Sequence, residues 1–177
     1  RVGGAEAAAS AERLRRVEGL TVVTVTWLLI AHLAALPYIW AGLGFIDALF
    51  ESMSGLTTTG ATAIVGLDAL PRSVLFYRSS LCFIGGMGIV ILAVAILPML
   101  KIGGMHLFRA ESTGPQKDNK LTPRIADTAK ALWLVYVGLN VACALAYWMG
   151  GMTFFDAVCH ALSTLATGGF STHDASF

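Results

Sequence analysis

The sequence predicts an all-α integral membrane fold built from helix, re-entrant segment, helix repeats, one of them complete and a second only begun. Three observations predict it. The 177 residues are 56% hydrophobic and only 13% charged, with a mean hydropathy of +0.71, which leaves too little polar surface to coat a water-soluble globule. Three apolar stretches, each long enough at about twenty residues to cross a bilayer as helix, contain no Asp, Glu, Lys or Arg. Finally, the stretch FIDALFESMSGLTTTGAT (Phe45 to Thr62) returns without a gap 109 residues later as FFDAVCHALSTLATGGFS (Phe154 to Ser171).

The elements follow in chain order. Residues 1–18 form an N-terminal segment carrying Arg1, Arg13, Arg15 and Arg16. The first span is Leu20 to Trp40, whose apolar core is longer than that of a signal peptide. It opens a first repeat, residues 19–100, that continues through the re-entrant segment and closes with the charge-free run Leu81 to Leu100. Residues 101–124 mix Gly103-Gly104, Gly114-Pro115 and charges of both signs, which is loop chemistry. Residues 125–177 start a second repeat with the span Ala131 to Met149, where Asn140 is the one strongly polar side chain, followed by the second re-entrant segment.

Basic residues set the orientation. Lys101, Arg109, Lys117, Lys120 and Arg124 lie between the second and third spans, whereas only Arg72 and Arg78 lie between the first and second. The positive-inside rule therefore places the N-terminus and the 101–124 loop in the cytoplasm, and both re-entrant segments on the outer side. Trp27, Trp40, Trp133, Tyr136, Tyr147 and Trp148 fall mostly near span ends, as interfacial anchors do. A net charge of +1 offers no basic field for nucleic acid, so that partner is excluded. Cys82, Cys143 and Cys159 share no C-x-x-C spacing and are read as small core residues. His160 and His173 with Cys159 lack zinc spacing, and no G-x-S-x-G, H-E-x-x-H or P-loop string supports an enzyme or a covalent cofactor.

Each repeat copy is an interpretable physical object. Asp47 and Asp156 open apolar helical stretches, where a carboxylate complements the helix N-terminus and capping is the preferred role. A helix of about a dozen residues entering from outside points its partially negative C-terminus toward the bilayer centre, and that end favours a cation. Beyond it lie Thr58-Thr59-Gly60-Ala61-Thr62 and Thr167-Gly168-Gly169-Phe170-Ser171. Irregular backbone at membrane depth survives where it is buried or lines a watery path, and glycine permits the backbone angles that turn successive carbonyls to one side. The combination resembles the TVGYG filter strand of potassium channels, with Thr58 and Thr167 on its Thr, Gly60 and Gly169 on its first Gly, and Phe170 on its Tyr. The segments are thus expected to be pore loops. The ion-binding filter is placed at Thr58, Thr59, Gly60, Ala61, Thr167, Gly168, Gly169 and Phe170, with K+ held at Thr58, Gly60, Thr167 and Gly169. Ala61 lacks the aromatic ring and Thr62 and Ser171 replace the final Gly, which implies a looser filter.

The residues also resemble the TrkH/KtrB/HKT superfamily of potassium and sodium translocating proteins, most closely its bacterial TrkH branch. SGLTTTGAT, RSSLCFIGGMGIVILAVAILPML, LTPRIADTAKALW and STLATGGFSTHD carry the likeness, which extends from about Leu20 to the end. The resemblance implies four non-identical filter strands in one chain and a potassium pore in the bacterial inner membrane. It further implies a homodimer with one pore per subunit and gating by a cytosolic nucleotide-binding ring. In plant-type relatives a Ser in place of a filter Gly shifts selectivity toward sodium, whereas Gly60 and Gly169 are both present here. The sequence supplies one repeat and half of another, so it is expected to be part of a longer chain whose remaining repeats complete the ring, and alone not to conduct. The rivals are a sodium-permeable member of the superfamily, a membrane-embedded enzyme using His160, His173 and Asp174, and a non-conducting scaffold.

The remaining singular residues have plainer roles. Gly85, Gly86 and Gly88 are expected to allow close helix packing. Pro98 is expected to end or bend its helix. Glu51 and Arg78, ionisable groups in or near the apolar slab, are expected to pair with one another or to snorkel. His32 is expected to be a hydrogen-bonded packing residue.

Overall fold

The computed structural model describes residues 2–100 and 121–176, with side chains described for 17–90 and 127–176. Among the described residues there are five α-helices and one short 3-10 turn: α1 (Val2–Trp40), α2 (Phe45–Leu56), the turn Leu67–Ala69, α3 (Arg72–Leu100), α4 (Leu121–Met149) and α5 (Phe154–Leu165). The stretches Val17–Trp40, Arg72–Val90 and Asp127–Met149 are long and apolar enough to cross a membrane. The 12-residue helices α2 and α5 are, at roughly 18 Å, too short to do so.

The helices extend beyond the charge-free runs. α1 begins at Val2, so residues 2–18 are helical and continuous with the first span. α3 begins at Arg72 rather than Leu81, with Pro71 accepting the first helical bonds from Val74 and Leu75. Arg78 lies inside the span because its charge is neutralised there, a condition no charge count reveals. Residues 101–120 of the expected loop lie outside the described residues, and Leu121 to Arg124 belong to α4. Pro123 is tolerated there because the first helical turn has no intrahelical donors to lose.

α3 is the central helix. Some 39% of its spanning window is buried, against 11% for α1 and 6% for α4, whose Val, Leu and Ile side chains face outward as lipid-facing surfaces do. α2 packs between α1 and α3, and α5 between α3 and α4, so the two re-entrant helices flank α3. Hydrocarbon provides little hydrophobic drive for helices to associate, and small residues with a few inter-helix hydrogen bonds do that work instead. Ala31 and Ala35 of α1 meet Ala48 of α2, and Ser52 Oγ donates to the Ala31 carbonyl at 2.8 Å. Tyr77 Oη donates to the Ala34 carbonyl at 2.9 Å, tying α3 to α1, and Tyr136 Oη donates to the Phe83 carbonyl at 3.2 Å, tying α4 to α3.

The repeat extends upstream of the matched sequence. α1 and α4 both end on a left-handed glycine, Gly42 (φ 99°) and Gly151 (φ 103°). At each, the next amide reaches back five residues, Leu43 to the Tyr38 carbonyl and Met152 to the Tyr147 carbonyl. That turn reverses the chain and feeds α2 and α5 back toward α3.

Candidate ion-binding filter

The inner ends of α2 and α5 are built alike and carry strain. Thr58 donates to the Gly55 carbonyl and Thr59 to that of Ser54, while Thr167 donates to Thr164 and Gly168 to Ser163, all at 2.9–3.0 Å. This is the Schellman cap, whose left-handed position is ordinarily glycine. Here it is threonine twice, Thr58 at φ 56° and Thr167 at φ 57°. A β-branched residue in that conformation costs about 1–3 kcal/mol, and such strain concentrates at ligand sites. Two residues later the chain turns left-handed again at Gly60 (φ 77°) and Gly169 (φ 80°).

These conformations lay the two strands side by side. A Cβ built on Gly60 would stand 1.6 Å from the Gly168 carbonyl oxygen, so only glycine fits between them. A Cβ on Gly168 would meet Cys82 Sγ at 2.7 Å, whereas one on Gly169 meets nothing within 4 Å. Gly85 and Gly86 of α3 admit the inner ends of both short helices. A Cβ on Gly85 would lie 2.0 Å from the Leu56 carbonyl oxygen, and one on Gly86 would lie 3.0 Å from Ala166 Cβ. Close packing is thus what these glycines provide.

Among the described residues, the carbonyls of Thr58, Thr59, Gly60, Thr167, Gly168 and Gly169 accept no protein hydrogen bond. Gly168 is buried, Thr58 and Gly60 are half-buried, and Thr59, Thr167 and Gly169 are exposed; a row of carbonyls left without a protein donor is chemistry suited to a dehydrated cation. The Ala61 carbonyl, expected among the ion-facing oxygens, instead accepts from Ser54 Oγ at 2.6 Å and is held toward α2. Thr59 Oγ1 pairs with Thr57 Oγ1 at 2.8 Å, and Thr167 Oγ1 donates to the Ala166 carbonyl at 2.6 Å. The Phe170 side chain turns away from the strands into a cluster with Cys82 and Ala166, so only its backbone is available to an ion.

Behind the strands lies a buried ionic network. Glu51 of α2 and Arg78 of α3, 0% and 1% exposed, pair at 2.8 Å. Glu51 also accepts from Thr62 Oγ1 at 2.9 Å and from the Ala63 amide at 3.1 Å, which anchors the outgoing end of the first strand. Removing one member of such a pair leaves a buried charge and costs on the order of 3–5 kcal/mol. At the offset of 109 residues, Glu51 corresponds to His160. His160 Nε2 lies 3.3 Å from Thr172 Oγ1, so both short helices hold the chain beyond their own strand, one through a carboxylate and one through an imidazole. Asp156 adds a second hold, accepting from Thr172 Oγ1 at 2.8 Å, while the Thr153 hydroxyl caps α5 by accepting from the Asp156 amide at 3.2 Å. On α2 the cap position is Gly44 with no side-chain bond, so Asp47 contributes only its charge in the first turn.

At the outer end a clip joins the two repeats. Asp174 Oδ1 accepts from the Gly66 and Leu67 amides, each at 3.1 Å, and His173 Nδ1 is bonded to Asp68 Oδ1. The bond from His173 holds the Asp68 carboxyl below its ordinary range, and the same bond raises the His173 imidazole above its own. His160, His173 and Asp174 are therefore occupied in holding segments together. Among the described residues no group of three or more His, Cys, Asp or Glu is placed to hold a metal ion. His32 Nδ1 donates to the Leu28 carbonyl of its own helix, 2.7 Å away, on an exposed face. Cys82 and Cys159 are buried free thiols.

Sequence reasoning missed three features: the left-handed threonines, the Gly60–Gly168 contact, and the reach of Arg78 to both strands. The first leaves no composition signal. For the second, only the glycines themselves point to a close approach. The upstream glycine turns were visible, since Gly42 and Gly151, like Tyr38 and Tyr147, match at the same offset.

Residues 4–177 match the family model TrkH, described as a cation transport protein. The Trk system potassium uptake protein TrkH of Salmonella typhimurium is 60% identical over 166 residues, covering 92% of this chain and 34% of that protein. The Trk system potassium uptake protein TrkG of Escherichia coli K12 is 51% identical over 168 residues, covering 93% of this chain and 34% of TrkG. The crystal structure of the potassium transporter TrkH from Vibrio parahaemolyticus superposes with a TM-score of 0.74 at 51% identity, over 89% of this chain and 31% of that one. The chain spans about a third of the length of these relatives.

Proposed function

The chain belongs to the TrkH family of cation transport proteins, and from that premise we propose that it supplies the first two of four filter strands in a potassium pore of a bacterial inner membrane. The supporting observation is the pair of strands itself: Gly60 lies against the Gly168 carbonyl, and among the described residues that carbonyl and five others of the two strands have no protein donor. Carbonyl dipoles of Thr58, Gly60, Thr167 and Gly169 replace part of the ion's hydration shell, and the C-terminal ends of α2 and α5 add negative potential. Glycine at 60 admits the close approach of the strands, and glycine rather than serine at both 60 and 169 favours K+ over Na+, as the family resemblance implies. K+ is the cargo, and no covalent chemistry is involved. The relatives are transporters, which agrees with a transport role rather than an enzymatic one.

Family membership also supports a homodimer with one pore per subunit, gated by a cytosolic nucleotide-binding partner acting from the side of the 101–120 segment. The test uses the full-length transporter in liposomes. Gly169→Asp places a carboxylate in the filter and is expected to abolish rubidium tracer uptake at unchanged protein insertion, whereas unaltered uptake would remove the filter from these strands. The 177 residues alone supply two strands and are expected to carry no selective flux.

A further inference from the structure

The Arg78 guanidinium does more than neutralise Glu51. Its Nε donates to Glu51 Oε1 at 2.8 Å, Nη2 donates to Thr62 Oγ1 at 3.1 Å, and Nη1 donates to the Ser171 carbonyl at 3.1 Å. Its Cζ lies over the Phe170 ring, 4.3 Å from the centroid. Thr62 and Ser171 occupy the same register of the two repeats, each two residues past the left-handed glycine of its strand. One side chain from the central helix therefore grips both strands at matching positions, and it is 1% exposed.

We propose that Arg78 is a positioning residue that sets the distance between the first two filter strands and thereby the ion selectivity of the pore. The inference rests on the filter reading above. Lysine cannot substitute, because an ammonium lacks the planar fork that reaches three acceptors in fixed directions and stacks on an aromatic ring. Glu51 completes the device: by pairing with Arg78 it keeps a full positive charge from facing the cation path, so the fork can hold the strands without repelling the cargo. A carbonyl filter discriminates by the number and placement of its dipoles, so loosening one inter-strand tie changes which ion fits best before it stops flow.

The experiment measures K+ and Na+ flux separately through the full-length transporter in liposomes, alongside the amount of folded protein. Arg78→Lys is expected to retain K+ flux while the K+/Na+ flux ratio falls by about tenfold, since strand placement governs discrimination. A merely structural role would lower the folded fraction and both fluxes together, leaving the ratio unchanged, and that result overturns the proposal. If Arg78→Lys does not fold, Thr62→Val decides: it keeps the ion pair and removes only the hydroxyl, and a ratio equal to wild type again overturns the proposal. Gly60→Ala is the control for the underlying reading. If it leaves both fluxes unchanged, the filter assignment fails; if it alters flux while Arg78→Lys and Thr62→Val do not alter the ratio, only the Arg78 inference fails.

Discussion

Replacing Gly60 by alanine separates two costs that the structure keeps distinct. Gly60 sits at φ 77°, where an L-residue with a Cβ is disfavoured by roughly 1–2 kcal/mol. Gly66, at φ 81° in the outer turn, carries the same penalty, but a Cβ there meets nothing within 4 Å. At Gly60 the new Cβ would stand 1.6 Å from the Gly168 oxygen, and real Cβ atoms keep at least 3.0 Å from such an atom, so the strands must part by about 1.4 Å. A misplacement of about 1 Å in a site tuned by geometry costs on the order of 10²-fold in rate. In the full-length transporter, Gly66→Ala should therefore lower the melting temperature slightly and leave rubidium uptake near wild type. Gly60→Ala should lower uptake by on the order of 10²-fold or erase the preference for K+ over Na+. Equal, mild effects of the two substitutions would refute the close approach of the strands.

Other perturbations test other parts of the account. Thr58→Gly and Thr167→Gly relieve the left-handed strain at the caps; each should raise stability by about 0.5–1 kcal/mol after the added freedom of the unfolded glycine is counted, and lower uptake, and a drop in thermal midpoint would contradict the strain. The His173–Asp68 clip has a pH window. His173 is raised above its usual value of about 6.5, so its contribution is complete below that value and is lost as pH rises through the raised one. Asp68 is lowered, so its contribution is lost as pH falls through the depressed value. Amide protection of residues 66–68, taken relative to the intrinsic exchange rate at each pH, should be highest between these limits, and His173→Gln should remove the high-pH limb; a flat protection profile in the unmodified protein would contradict the clip.

Lipid made most of the architecture legible. An unpaired charge is so costly in hydrocarbon that charge-free runs mark spans, and the placement of α1 and α4 follows from that rule. The rule cut α3 short at Leu81 because it is blind to pairing: Arg78 is admitted by Glu51, a residue 27 positions earlier on another helix. The re-entrant helices were legible through the repeat, and the threonines and glycines through their likeness to a known filter strand. Which carbonyls point where was not legible. Ala61 looks equivalent to its neighbours in sequence, and only Ser54, seven residues before it, turns its oxygen toward α2. His160 looked like a candidate for chemistry until its alignment with Glu51 explained it as the second repeat's hold on its own strand.

The most direct measurement is a crystal or cryo-EM density map of the full-length transporter with thallium or rubidium replacing K+, read at the strands 58–60 and 167–169. A monovalent ion coordinated by the carbonyls of Gly60 and Gly169 is the predicted result. Heavy-ion density confined to the outer Asp68–His173–Asp174 clip, with those carbonyls bonded to protein donors instead, would contradict it.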